Sequence, residues 1–126
     1  RERVTLAEKY AREWNAVLVI KGAPTVIGCP DGSIYVNTTG CNAMATGGSG
    51  DVLTGIIAAL AGQEIRLQEA ALCGVYLHGL AGELAADDCI GLAAGQISEF
   101  LPQVRKLIEA GSADELVYNY ALNVIK

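Results

Sequence analysis

Leu6, Tyr10 and Trp14 recur at four-residue spacing near the start of the chain, which predicts a short amphipathic helix with that stripe as its buried face. Thr5-Leu6-Ala7-Glu8 has the spacing of a capping box and places the helix start there. The run Ala16-Val17-Leu18-Val19-Ile20 is unbroken and apolar, the pattern of a strand covered on both faces as in parallel sheets, and it ends at Lys21-Gly22. Two short apolar runs, Thr25–Cys29 and Ser33–Asn37, flank Pro30-Asp31-Gly32. Proline presets φ and glycine accepts positive φ, so a hairpin is predicted. Polar, glycine-rich sequence then extends to Gly50. From Asp51 to Leu60 the apolar positions Val52, Leu53, Ile56, Ile57 and Leu60 mark a helix that follows a glycine loop. A helix over Gln68–Ala86 is so rich in small residues that it should lie deep against its neighbours. Further helices are predicted over Leu92–Phe100, from Pro102 to Ala110, and over Ala113–Val124. Without a repeat or a linker, residues 1–126 read as a single domain, or part of one, with helix, strand and hairpin followed by helices.

Composition narrows the possible partners. Hydrophobic residues make up 52% of the 126, enough for a real core, and the 15 glycines with only 6% aromatics favour close packing and tight turns. Nine basic against 14 acidic residues give a net charge of −5, which argues against nucleic acid or an anionic membrane as partner. An anionic ligand would have to be attracted locally. No apolar stretch reaches the roughly 20 residues of a membrane span. The charged opening RERVTLAEKY has no signal-peptide core behind it, so a cytoplasmic protein is expected. Cys29, Cys41, Cys73 and Cys89 form no CxxC pair and there is one histidine, so reduced thiols and no zinc site are expected. The chain opens on Arg1 in the middle of an αβ pattern, which reads as a fragment of a longer domain.

The sharpest chemical feature is Ala45-Thr46-Gly47-Gly48-Ser49-Gly50-Asp51 at the head of a helix. Helix N-termini present unpaired amides and about half a positive charge, and glycines let those amides approach a phosphate. The segment is neither a Walker A loop nor a dinucleotide GxGxxG fingerprint. The bare pattern fits equally a structural glycine turn in which Asp51 serves as a cap.

Asn37-Thr38-Thr39-Gly40, followed by Met44-Ala45-Thr46-Gly47-Gly48-Ser49-Gly50-Asp51-Val52-Leu53-Thr54-Gly55, closely resembles the hallmark of the ADP/ATP-dependent NAD(P)H-hydrate dehydratases of the ribokinase-like superfamily. The likeness continues through Lys21-Gly22-Ala23-Pro24-Thr25, Pro30-Asp31-Gly32, Gly74-Val75-Tyr76-Leu77-His78-Gly79 and Leu101-Pro102, in the family's order. Two positions depart from it: Cys41-Asn42-Ala43 stands where the family has Asn-Pro-Gly, and Gly95-Gln96 where many members have Ser-Asp. The resemblance implies an α/β fold, the ribokinase-like three-layer αβα sandwich, of which this chain is the carboxy-terminal portion.

It further implies dehydration of hydrated NADH and NADPH at the expense of ADP or ATP, with Mg²⁺ carried by the nucleotide. Phosphorylating the 6-hydroxyl turns a poor leaving group into phosphate. Asp51 would be the catalytic base and a substrate contact, while Lys21, Gly22, Ala23, Pro24, Thr25 and Gly50 would bind the nucleotide. On the residues alone, Lys21 also suits a solvated strand-end charge. His78 is read as a packed histidine with no chemical role, and Met44 as a loop anchor. A homo-oligomer and a fused or separate NAD(P)H-hydrate epimerase are the expected partners. The competing readings are a ribokinase-like small-molecule kinase of the hydroxyethylthiazole or hydroxymethylpyrimidine type, and an inactive nucleotide-binding fragment.

Overall fold

The computed structural model describes residues 1–86 and 93–109, except the side chains of 107 and 108. Its elements run α1 (Glu2–Glu13), β1 (Leu18–Ile20), β2 (Thr25–Gly28), β3 (Ile34–Asn37), a single 3-10 turn (Asn42–Met44), α2 (Ser49–Ala61), α3 (Leu67–Ala86), α4 (Ala94–Glu99) and α5 (Leu101–Glu109). The helix expected over Ala113–Val124 and the thiol of Cys89 lie outside the described residues.

The three strands form one antiparallel sheet in the order β1-β2-β3, with Val19 opposite Ile27 and Ile27 opposite Tyr35. The hairpin stands where the turn residues predicted it. Cys29 N–H donates to the Ser33 carbonyl at 2.9 Å, the Asp31 carboxylate accepts from Ser33 N–H at 2.8 Å, and Gly32 takes φ +92°. The strand predicted over Ala16–Ile20 spans Leu18–Ile20, and its one pairing among the described residues, with β2, is antiparallel rather than parallel, leaving its other edge unpaired. An apolar run reports covered faces and carries no information on a neighbour's direction. The short Lys21–Pro24 turn supplies it, since a parallel partner needs a long crossover.

Helices cover both faces of the sheet. Ile27 and the adjacent Cys29 pack with Leu53 of α2 and with Ala71 and Val75 of α3. Gly28 points the other way, and a Cβ on it would run into the Ala7 carbonyl of α1. That close approach decides which side of α1 is buried. Ala7 and Ala11 are fully buried, whereas Leu6 is 39% and Trp14 59% exposed. The Leu6-Tyr10-Trp14 stripe is therefore not the buried face, because only small side chains fit between the helix and a strand stripped of its Cβ. Tyr10 and Trp14 instead stack on each other with ring centroids 4.7 Å apart. The predicted capping box is also corrected. α1 begins at Glu2, so Thr5 lies inside it and donates its hydroxyl back to the Arg1 carbonyl at 3.3 Å.

A second core joins Leu80, Ala81 and Ala85 of α3 to Ile97 of α4 and Val104 of α5. α2 begins two residues ahead of Asp51, at Ser49, and α3 matches its prediction closely. Gln96, one of the two divergent residues in the first turn of α4, caps that helix by accepting from Ala93 N–H at 2.8 Å.

Candidate functional site

Three segments converge above the sheet. The first leaves β1 through Lys21 and turns across Gly22-Ala23-Pro24, with the Thr25 hydroxyl donating to the Gly22 carbonyl at 3.1 Å. The second, residues 37–44, is fastened to α3. The Thr39 hydroxyl reaches the Tyr76 carbonyl at 3.1 Å, and Gly40, at φ +111°, donates its N–H to the Glu83 carboxylate at 2.6 Å. Small residues on α3 make room for this loop: a Cβ on Gly79 would strike Thr39 and one on Gly82 would strike Met44. Met44 is thus a loop anchor, as the sequence suggested.

The third segment is the glycine loop. Gly48 takes φ +87° as the N-cap of α2, and its carbonyl accepts from the Asp51 and Val52 amides at 3.0 and 3.1 Å. Ser49 N–H is bonded to Thr46. Among the described residues the amides of Gly47, Gly48 and Gly50 make no backbone hydrogen bond, which leaves them for an anion. The Lys21 ammonium lies over Gly50 so closely that a Cβ there would collide with it. A cation and a helix N-terminus therefore meet at one point of a protein whose net charge is −5.

His78, from α3, closes this point from below. It is 8% exposed, and its Nε2 lies 3.0 Å from the Ser49 carbonyl and 3.5 Å from the Ser49 hydroxyl. Burial pushes its pKa down, the Lys21 charge acts in the same direction, and the bond to Ser49 opposes both. Because a carbonyl can only accept, Nε2 carries a proton and donates it to the first carbonyl of α2. The expectation of a packed histidine holds for burial and misses this bond.

Two cavities adjoin the convergence. The larger, about 770 Å³, is lined by Lys21, Gly22, Ala23, Pro24, Thr25, residues 36–42, Met44 to Thr46, Ser49 and Gly50, with Leu53, Val75, His78 and Gly79 beneath. The smaller, about 300 Å³, is lined by Lys21, Thr46, Gly48, Gly50, Asp51 and Thr54. The residues nominated from the sequence thus come together but divide between the two cavities. The Lys21–Thr25 segment lines the larger one, Asp51 the smaller, and Lys21 with Gly50 lines both. The Asp51 carboxylate is exposed and makes no ion pair with Lys21.

The family model described as NAD(P)H-hydrate dehydratase matches residues 1–103. The chain belongs to that family. Among curated relatives it is 54% identical over 110 residues to the bifunctional NAD(P)H-hydrate repair enzyme of Moorella thermoacetica, covering 86% of this chain and 21% of that protein. It is 43% identical over 107 residues to the ADP-dependent (S)-NAD(P)H-hydrate dehydratase of Bacillus subtilis, covering 80% of this chain and 39% of that one. The crystal structure of the Bacillus subtilis ADP/ATP-dependent NAD(P)H-hydrate dehydratase, co-crystallised with ATP and Mg²⁺, superposes with TM-score 0.79 at 40% identity over 83% of this chain and 39% of that one. A ribokinase-like superfamily protein of Enterococcus faecalis superposes with TM-score 0.70 at 33% identity, over 79% of this chain and 34% of that one. The fold is ribokinase-like, and this chain spans only a part of the length of these dehydratase-family proteins.

Sequence reasoning missed three residues at this dehydratase-family site. Arg3 donates to the Pro24 carbonyl at 2.6 Å and to that of Ala23 at 3.3 Å, across some 20 positions of sequence that gave no sign of the contact. Glu83 holds Gly40, and His78 holds Ser49. No local pattern marks Arg3 or Glu83. His78 stood out as the sole histidine, but only the packing of α3 beneath α2 supplies its partner.

Proposed function

We propose that this chain carries the nucleotide-binding and base-bearing part of an enzyme that dehydrates hydrated NADH and NADPH with ADP or ATP. The observation that carries the reading is the division of the two cavities at Lys21 and Gly50. A nucleotide whose base and ribose rest on Leu53 and Val75 in the larger cavity would bring its terminal phosphoryl to the free amides of Gly47, Gly48 and Gly50 and to Lys21. Asp51 then stands on the far side of that phosphoryl, in the smaller cavity, where an acceptor hydroxyl would sit. This separation is what in-line phosphoryl transfer requires.

In this mechanism Asp51 takes the proton from the 6-hydroxyl as its oxygen attacks the phosphoryl group. The bond from phosphorus to the nucleotide breaks, and AMP or ADP leaves. Helix-end amides and Lys21 stabilise the charge that spreads over the phosphoryl oxygens. The ring nitrogen's electron pair then expels phosphate, and loss of a ring proton restores the reduced nicotinamide. Among the described residues Asp51 is the one carboxylate lining either cavity, and no three metal-ligating side chains come together. Such a donor set suits Mg²⁺ that arrives on the phosphates, where it would neutralise their charge, rather than a protein-built cage.

The same reading includes a cytoplasmic location, self-association, and partnership with an NAD(P)H-hydrate epimerase, fused or separate. The bifunctional names of relatives support the last of these. No helix among the described residues is long and apolar enough to cross a membrane.

The test uses the protein expressed from its complete reading frame, given hydrated NADH with ADP or ATP and followed by recovery of NADH absorbance. Asp51→Asn is expected to bind nucleotide normally and to lose about 10²–10⁴-fold in kcat, the usual worth of a positioned base. Near-normal turnover of that variant removes Asp51 from the base role. Phosphorylation of a thiazole or pyrimidine alcohol without NADH recovery would replace the dehydratase reading with the kinase one.

A further inference from the structure

Arg3 stands in the first turn of α1 and lines neither cavity, yet its side chain reaches the backbone of the segment that does. Its guanidinium donates to the Pro24 carbonyl at 2.6 Å and to the Ala23 carbonyl at 3.3 Å, and it lies against Gly22, where a Cβ would collide with it. Gly22, Ala23 and Pro24 are three consecutive residues of the larger cavity's wall. We infer that Arg3 is a positioning residue for the nucleotide, a clamp that holds the Gly22-Ala23-Pro24 turn from behind. This inference rests on the nucleotide reading of the larger cavity.

Three physical consequences give the clamp a role beyond packing. The planar fork of arginine can hold two neighbouring carbonyls at once, which the single ammonium of lysine does less well. Carbonyls engaged behind the turn are withheld from the cavity, where their oxygens would repel phosphates. The turn also begins at Lys21, so fixing it helps to fix the ammonium over Gly50. Nor is Arg3 needed to seat its helix, because the fully buried Ala7 and Ala11 dock α1 on the sheet around Gly28. Among the described residues no carboxylate pairs with Arg3, so its positive charge adds to the local field instead of being cancelled.

The experiment compares wild type, Arg3→Ala, Arg3→Lys, Gly22→Ala and the Arg3→Ala/Gly22→Ala double variant, each expressed from the complete reading frame. ADP and ATP affinities are measured by calorimetry, KM is measured for each substrate, and thermal unfolding is followed alongside. Arg3→Ala is expected to weaken nucleotide binding about tenfold, the order of one or two lost charge-assisted hydrogen bonds, with KM for hydrated NADH changed less than about twofold. Arg3→Lys should recover part of the loss. Since Gly22→Ala displaces the same guanidinium, the double variant should lose no more than the worse single variant, as expected for residues acting through one contact. Unchanged nucleotide affinity in Arg3→Ala, equal losses toward both substrates, or fully additive losses in the double variant would each overturn the clamp while leaving the dehydratase reading standing. A wild-type protein that binds neither ADP nor ATP would overturn both.

Discussion

Burial disfavours the charged form of two side chains beside the cavities and so moves their pKa values in opposite directions. Desolvation pushes the Glu83 carboxyl above its ordinary range, against the lowering effect of its bond from Gly40, whereas burial pushes the His78 imidazole below its own. A carboxyl whose folded pKa is raised binds its proton more tightly when folded. Its contribution to stability is complete below the unfolded pKa near 4.5 and is lost as pH rises through the folded value. A histidine lowered on folding behaves oppositely: its contribution is complete above the unfolded pKa, about 6.5, and is lost as pH falls through the folded value. Glu83→Gln keeps an oxygen to accept from Gly40 and removes the desolvated charge. This variant should therefore melt higher than wild type at pH 8, with the gap closing below about pH 4.5, where wild-type Glu83 is itself neutral. Thermal melts of both proteins across that range check this, and a gap independent of pH would show that the Glu83 charge is not the cause.

Among the elements, α3 and α2 use glycine for different ends. Gly79 lies where residues 38–40 cross α3, and a Cβ would press on the hydroxyl and backbone of Thr39. Gly55, in the middle of α2, has nothing within 4 Å of the position a Cβ would take. Alanine favours a helix over glycine by about 1 kcal/mol, and only a steric penalty can reverse that. Gly55→Ala is accordingly expected to stabilise by about 0.5–1 kcal/mol, and Gly79→Ala to destabilise by about 1–2 kcal/mol because overpacking exceeds the propensity gain. Urea denaturation of the two variants decides it, and shifts of the same sign would refute the distinction. Element positions themselves were largely legible. The hairpin followed from Pro30-Asp31-Gly32, α2 from its apolar periodicity and α3 from its run of small residues. The seat of α1 was not, because periodicity registers Leu6, Tyr10 and Trp14 as the most hydrophobic stripe and cannot register that Gly28, on a strand beyond the helix, admits only alanines.

For the molecule as a whole, the partial span matters most. The chain covers 39% of the Bacillus subtilis dehydratase, and among the described residues β1 is paired on one side only, with Leu18, Val19 and Ile20 all half-buried. Asp51 is exposed rather than enclosed in a water-free site. The 126-residue segment expressed alone is therefore expected to give less than about 1% of the NADH recovery of the complete reading frame, since proximity and water exclusion carry much of such a rate. Comparable recovery from both proteins would show that these residues suffice. At this scale the net charge of −5 hides a local concentration of positive charge. Lys21, Arg3 and one helix end lie within a single corner.

The sequence by itself determined what depends on residues a few positions apart: the glycine loop at the head of α2, the hairpin turn, the helical periods, and through a long ordered resemblance the family. It also nominated Lys21 to Thr25, Gly50 and Asp51, which the fold gathers around two adjoining cavities. Only the tertiary structure decided which faces meet: α1 on its alanines, β1 antiparallel to β2, His78 under Ser49, Glu83 on Gly40 and Arg3 behind Pro24. Local chemistry is written in neighbouring side chains, whereas contacts across 20 to 43 positions depend on where whole elements can approach without a Cβ in the way.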